Sequence, residues 1–169
     1  NIFSKYLYII IFLFSCKVVN ASEISEAFNT IEIRKTAMQG LWHRVKRLSP
    51  YVELKEKIDY NKNLATEDAK EILALIQKTK SLWSENSNMS AKGFTNATPA
   101  VWALPKYFEK LYTSAENSAF DLKNAIINDD IDETVIAMCN LGNACGTCHA
   151  NFRRLLTSQL ANEVSGWSG

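Results

Sequence analysis

Cys145-Gly146-Thr147-Cys148-His149 places two thiols and an imidazole within one short stretch near the C-terminus. On a helix, residues three and four positions apart share a face, so Cys145, Cys148 and His149 project from the same side. C-x-x-C-H is the attachment signal for c-type haem: both thiols bond to the porphyrin and the imidazole supplies an axial nitrogen. Because the chain has only two histidines and four cysteines, this order predicts one covalently attached haem c.

Other uses of these cysteines are weaker. A thioredoxin-like C-x-x-C needs a βαβ context, and no strand pattern is evident. A zinc site could use Cys139, Cys145 and Cys148, but no second ligand pair lies at the spacing of a zinc finger. A disulfide between cysteines three apart on a helix has poor geometry. A haem-free helical protein stabilised by zinc or thiols is therefore the alternative, and lack of a Soret band would favour it.

The N-terminus has the pattern of a secretory signal peptide over residues 1–21, followed by a single domain over residues 22–169. Lys5 precedes the uncharged run Tyr6 to Phe14, and Val19-Asn20-Ala21 supplies a small-residue cleavage site. The run is about half the ~20 apolar residues that a transmembrane helix requires. We therefore expect a periplasmic protein with no stable membrane insertion after cleavage.

The charge balance narrows the class of partner. Loss of Lys5 and Lys17 with the signal leaves 17 Lys and Arg residues against 18 Asp and Glu residues. A net charge of −1 argues against nucleic acid or an anionic membrane surface as the partner. The domain is long enough to bury a hydrophobic core of its own.

The fold expected is all-α, a four-helix up-down bundle with the covalent haem near its C-terminus. Apolar residues recur three and four positions apart, which indicates amphipathic helices. We predict a first helix capped by Ser22 and ended near Leu48 by Pro50, and a second from Thr66 to about Trp83. A third helix begins at Pro105, and a fourth, capped by Asp130, carries the haem motif and extends to about Leu160.

One position on the first helix is unusual for a core. Between Ile31 and Met38 the inward-facing position falls on Arg34. A buried arginine needs an anionic partner, and a haem propionate would serve. The alternative is an arginine whose charged end reaches the surface.

Several other side chains are assigned by packing alone. Cys139 is expected to be a small buried residue, and His43 a surface or helix-edge histidine. Trp83 and Trp102 are expected to pack in the core.

The chain resembles the cytochrome c-prime family, the class II c-type cytochromes. The segment Leu141–Arg153, with its aromatic-Arg pair after the histidine, is similar to the haem segment of that family. Pro99-Ala100-Val101-Trp102 is similar to the entry of the family's third helix, and Ile33-Arg34 with Met38 resembles a pattern of the first helix. The resemblance covers essentially the whole mature chain, and the haem motif is its most specific part.

The resemblance implies a role for three residues. Arg34 is the expected propionate partner, Met38 faces the distal side of the iron, and Arg153 is the proximal arginine one turn after His149. In the low-spin branch, which resembles cytochrome c-556, a methionine at the place of Met38 binds the iron. The bulky pair Trp42-His43 stands where smaller residues are expected and has the size to crowd the distal pocket.

These implied roles favour an electron-carrying cytochrome with His149 and Met38 as axial ligands, rather than an enzyme. Its partners would be redox proteins, and a homodimer formed through the first two helices is possible. The alternative within the family is a high-spin protein that binds nitric oxide or carbon monoxide at an open sixth position.

Overall fold

A computed structural model describes residues 21–52 and 61–154, and these are almost entirely helical. The helices are α1 Ala21–Val52, α2 Lys62–Lys80, the short α3 Ala100–Ala103, α4 Pro105–Ile127 and α5 Ile131–Phe152. Two 3-10 turns, Glu85–Ser87 and Ser90–Lys92, lie in the segment between α2 and α3.

The four long helices form one bundle. α1 packs on α2, α2 on α4 and α4 on α5, whereas α1 and α5 contact each other sparingly. Each long helix contributes a fully buried aliphatic side chain to the common core: Leu48, Ile72, Leu122 and Leu141. The expected all-α four-helix bundle is therefore confirmed.

α4 and α5 begin at the residues that the sequence predicts. Pro105 occupies the first turn of α4, where its missing N–H would have no partner within the helix. The Asp130 carboxylate accepts a hydrogen bond of 3.0 Å from the Glu133 amide at the start of α5. Both predicted starts are confirmed, because capping chemistry is local and can be inferred from sequence.

The boundaries of α1 differ from the prediction. Ser22 lies inside the first turn and does not cap the helix, and α1 continues through Pro50 to Val52. A proline removes its own N–H donor and crowds the carbonyl four residues earlier, and at Pro50 both effects fall near the end of α1, which still reaches Val52. The predicted end at Leu48 is wrong; this residue is buried in the core.

α2 begins earlier than expected and also ends earlier. The Asn61 side chain accepts hydrogen bonds from the amides of Asn63 and Leu64, at 3.0 and 3.3 Å. Asn61 is therefore the N-cap in place of Thr66. The helix ends at Lys80, and Trp83 follows it in the connecting segment.

The connecting segment is attached to the end of α5. An antiparallel bridge joins Ala97 to Arg153, and backbone hydrogen bonds of 2.8 and 2.7 Å flank it. The Arg154 guanidinium donates to both the carbonyl and the hydroxyl of Ser90, at 2.9 and 2.8 Å. These contacts fix the backbone immediately after the haem motif.

Two predictions lie outside the described residues: the signal peptide, apart from Ala21 in α1, and the helical extension through Leu155, Leu156 and Leu160. Over the ranges that are described, none of the helices combines the length and the apolar character needed to cross a bilayer.

Candidate haem site

The two cysteines of the motif face the bundle interior from α5. Cys145 and Cys148 are half-buried, pack against the main hydrophobic core and are not joined by a disulfide. Burial raises the pKa of the Cys145 thiol. Burial, followed by the nearby Cys145, raises the pKa of Cys148 to about 11. The helical spacing thus brings both thiols to the same core surface, as the sequence predicts.

His149 follows on the same helix and is also half-buried. Burial lowers its pKa, and the positive charge of Arg153 lowers it further. Both effects disfavour the imidazolium form. A neutral imidazole keeps one nitrogen lone pair, which is what ligation of a metal requires.

Arg34 lies opposite, on α1, and its side chain is buried, with 3% of the residue exposed. Its Nη1 donates to the Leu82 carbonyl at 2.8 Å and to the Ser87 hydroxyl at 2.7 Å. Its Nη2 donates to the Ser87 carbonyl at 3.5 Å, and Cζ lies 4.3 Å from the ring centroid of Trp83. The alternative of an arginine that reaches the surface is therefore wrong.

The charge of Arg34 has no carboxylate partner among the residues that the structure describes. Burial lowers its pKa to about 10, which still leaves the guanidinium protonated at neutral pH. A buried cation whose acceptors are all neutral is incompletely compensated, because desolvation is costly without an anion nearby. This site suits an anionic group brought in by a cofactor.

Met38 lies one turn after Arg34 on α1. It is half-buried and packs against the main core. Trp42, a further turn along, is 59% exposed, so most of its ring lies in solvent instead of crowding the distal pocket. α1 therefore carries a half-buried thioether one turn from the buried guanidinium of Arg34.

Aromatic residues connect the Arg34 side of the site to the cysteines. The Trp83 ring contacts Phe108 and Tyr112, with centroids 4.8 and 6.2 Å apart. Burial raises the pKa of Tyr112, and charges on Cys148 and Arg34 both influence it, so these three groups lie in one electrostatic neighbourhood. Tyr112 was not predicted for the site, although its position four residues after Phe108 on α4 is a usable signal.

The two tryptophans differ in their hydrogen bonds. Trp102 Nε1 donates to the carbonyls of Trp83 and Ser84, at 3.1 Å each. Trp83 Nε1 is buried and has no hydrogen-bond partner. Both rings pack against the core as expected.

The donor set fits a covalent haem. It combines two neighbouring thiols, a neutral imidazole, a buried guanidinium and an unpartnered indole N–H. Porphyrin attachment requires the thiols and the imidazole, and propionate carboxylates accept from N–H donors. The described residues contain no group of three or more His, Cys, Asp and Glu side chains that could hold a metal ion, so nothing there favours the zinc alternative.

Cys139 and His43 lie away from this site, and their exposure can be compared with the predictions. Cys139 is exposed, so the expectation that it is buried is wrong. Val135, one turn earlier on α5, is also exposed, which shows that this stripe lies off the core face. His43 is exposed, as predicted.

Comparison with known proteins agrees with this geometry. The family model described as Cytochrome C' matches residues 29–153. A cytochrome c-554 of Cereibacter sphaeroides is 27% identical over 135 residues, which cover 79% of this chain and 86% of that protein. A second cytochrome c-554 of the same organism is 28% identical, over 59% of this chain and 75% of its own length.

Solved structures share the fold. Cytochrome c' from Rubrivivax gelatinosus superposes with a TM-score of 0.68 at 22% identity, covering 76% of this chain and 97% of that one. A nitric oxide complex of a leucine-to-alanine mutant of cytochrome c prime from Alcaligenes xylosoxidans gives a TM-score of 0.69 at 16% identity, with coverages of 77% and 97%. With the family model spanning most of the sequence, the chain belongs to the cytochrome c' family and is a mono-haem c-type cytochrome.

Proposed function

We propose that this protein is an exported, periplasmic electron carrier whose haem iron is ligated by His149 and Met38. Cys145 and Cys148 form the two thioether bonds, and Arg34 pairs with a haem propionate. The observation that carries the proposal is the half-buried thioether of Met38, one helical turn from the buried guanidinium of Arg34. A ligand on α1 and a ligand on α5 would then hold the haem between two helices that contact each other sparingly.

The chemistry that the haem supplies is a reversible one-electron change at iron. Methionine sulfur is a neutral, soft donor that suits ferrous iron, and the Met/His pair raises the potential of c-type haems. Burial keeps the His149 imidazole neutral and therefore able to donate its lone pair. The buried positive charge of Arg34 would stabilise an ionised propionate. The same positive charge would also favour ferrous iron over ferric iron, because the ferrous haem carries one positive charge fewer.

A second candidate function is the binding of nitric oxide or carbon monoxide at an iron that Met38 leaves free. The nitric oxide complex among the similar solved structures favours it, whereas the curated relatives are named as cytochromes c-554. Family members are electron carriers or gas binders and are not typical enzymes. Both functions need the same cysteines and histidine, so they differ only in what Met38 does.

The ferric spectrum of the purified protein tests the choice. Met ligation predicts a low-spin spectrum at neutral pH with a weak band at about 695 nm. Met38→Ala should turn the spectrum high-spin and speed the binding of carbon monoxide, with the haem still attached. Met138→Ala is the matched control, since Met138 is also a half-buried methionine that packs against the main core.

The control should keep the low-spin spectrum. A wild-type protein that is already high-spin at neutral pH would overturn Met38 ligation and favour the gas-binding function. A shift to high spin in both variants would show that loosened packing, not loss of a ligand, changes the iron.

A further inference from the structure

The indole N–H of Trp83 is a buried donor that the proposed ligand set does not use. Buried polar groups in folded proteins nearly always have a hydrogen-bond partner. The Tyr112 hydroxyl is an acceptor near the indole N–H: a weak hydrogen-bond interaction with Trp83 lowers the pKa of Tyr112, although the pair falls outside the geometry of an ordinary hydrogen bond. That hydroxyl is itself engaged at 2.7 Å with the Thr79 side chain.

The neighbouring guanidinium also has donors left. Of the five N–H bonds of Arg34, the two on Nη1 point to Leu82 and Ser87, and one on Nη2 points to the Ser87 carbonyl. The Nε–H and one Nη2–H therefore remain, and they lie side by side along one edge of the planar group. Such an edge binds a carboxylate with two parallel hydrogen bonds.

The two side chains that carry these free donors are adjacent. The guanidinium carbon of Arg34 lies 4.3 Å from the centroid of the Trp83 ring, so the cation stacks on the indole. A carboxylate has two oxygens and about four acceptor positions, enough for the guanidinium edge and one further N–H. An anionic ligand at this point would satisfy the orphaned indole and compensate the buried charge together.

We propose that the Trp83 indole N–H is a second donor to the haem propionate that Arg34 binds. The inference rests on the proposed pairing of Arg34 with a propionate. Trp83 thereby has a binding role in addition to its packing against Phe108 and Tyr112.

The test is the pH dependence of the haem midpoint potential in the intact holoprotein. Trp83→Phe keeps an aromatic ring and removes the donor. An ionised propionate that loses a donor is harder to form, so the propionate pKa seen in the potential profile should rise by about one unit. Trp102→Phe is the matched control, because the Trp102 N–H is already bound by two carbonyls, and its profile should not move.

Packing changes are separated from loss of the donor by an isosteric analogue. The tryptophan analogue with sulfur in place of the indole N–H, incorporated at position 83, should give the same shift as Trp83→Phe. An unchanged profile in a folded analogue-containing holoprotein would overturn the inference. Tyr112→Phe should leave the profile unchanged; a shift equal to that of Trp83→Phe would mean that the indole acts through the Tyr112 hydroxyl, which also overturns it.

The variant Arg34→Leu distinguishes failure of this inference from failure of the proposed pairing of Arg34 with a propionate. Removing a positive charge beside an ionised propionate favours ferric iron, so the midpoint potential should fall. If Arg34→Leu lowers the potential and neither change at position 83 alters the profile, Arg34 binds the propionate and Trp83 does not. If Arg34→Leu has no effect while the haem stays attached, the propionate pairing itself is wrong.

Discussion

The two sides of the bundle are built from different chemistry. On the side where α2 meets α4, the core is mainly aliphatic and fully enclosed, as Ile72 and Leu122 show, with one buried hydrogen bond from Tyr112 to Thr79. On the side where α1 approaches α5, the inward-facing groups are a guanidinium, two thiols and a thioether, and most are only half-buried. The first side stabilises the fold mainly by packing, whereas the second carries the groups proposed to bind the haem. Variants on each side should therefore change different observables.

The largest effect is expected at the motif cysteines. Replacing both Cys145 and Cys148 with alanine removes both thioether bonds, so haem should be extracted completely by acid–acetone. Wild-type protein should keep its haem under the same treatment, as should Cys139→Ala, whose thiol is exposed and outside the site. Free extraction of haem from the wild-type protein would contradict covalent attachment at these residues.

The aliphatic side should respond in stability. Leu122 is 0% exposed, and Leu122→Ala should lower the free energy of unfolding by about 3 kcal/mol through lost burial and the cavity that remains. The control is Leu104, which is 53% exposed: Leu104→Ala should change the free energy of unfolding by less than about 0.5 kcal/mol. Denaturant titration of both holoproteins measures this difference. Equal losses of unfolding free energy in the two variants would contradict the burial of Leu122 and the exposure of Leu104 in the structure.

A smaller effect is expected where the connecting segment meets α5. Arg154→Ala removes two hydrogen bonds to Ser90, one to its carbonyl and one to its hydroxyl. Because these bonds are partly exposed, the free energy of unfolding should fall by only about 1 kcal/mol. Arg154→Lys keeps the charge but cannot reproduce the planar fork, so it should recover part of the loss at most. If the thermal unfolding midpoint of Arg154→Ala were unchanged, the backbone bridge between Ala97 and Arg153 would be sufficient to attach the connecting segment to the end of α5.

Much of the ligand side could be predicted because its signals are local. The spacing of Cys145, Cys148 and His149 places them on one helical face without knowledge of the fold. Arg34 was identified by a charge within an apolar stripe, and it is buried as that pattern suggests. The Trp83–Tyr112 contact was not predictable in this way, since it depends on how α4 lies against the end of α2.

Helix boundaries were predicted where a cap has a single candidate and missed where several compete. Asp130 is such a case, and its capping bond forms as expected. At the start of α2, Asn61 and Thr66 are both reasonable caps, and the structure uses Asn61, whose backbone is extended and whose side chain accepts from the amides of Asn63 and Leu64. Cys139 was placed wrongly because the buried face of α5 runs through Ala137, Leu141 and Ala144. Cys139 lies two residues from Ala137 and from Leu141, which puts it about 200° around the helix from them.

The segment between α2 and α3 touches both walls of the haem site. Ser87 accepts hydrogen bonds from Arg34 on α1, and Ser90 accepts them from Arg154 just beyond α5. Since α1 and α5 have few contacts of their own, the hydrogen bonds of this segment to Arg34 and to Arg154 help to set the distance between the two helices. A substitution in this segment would then be expected to change how closely Met38 and His149 approach a haem held between them. The haem environment would thus depend on residues that belong to none of the ligands proposed for it.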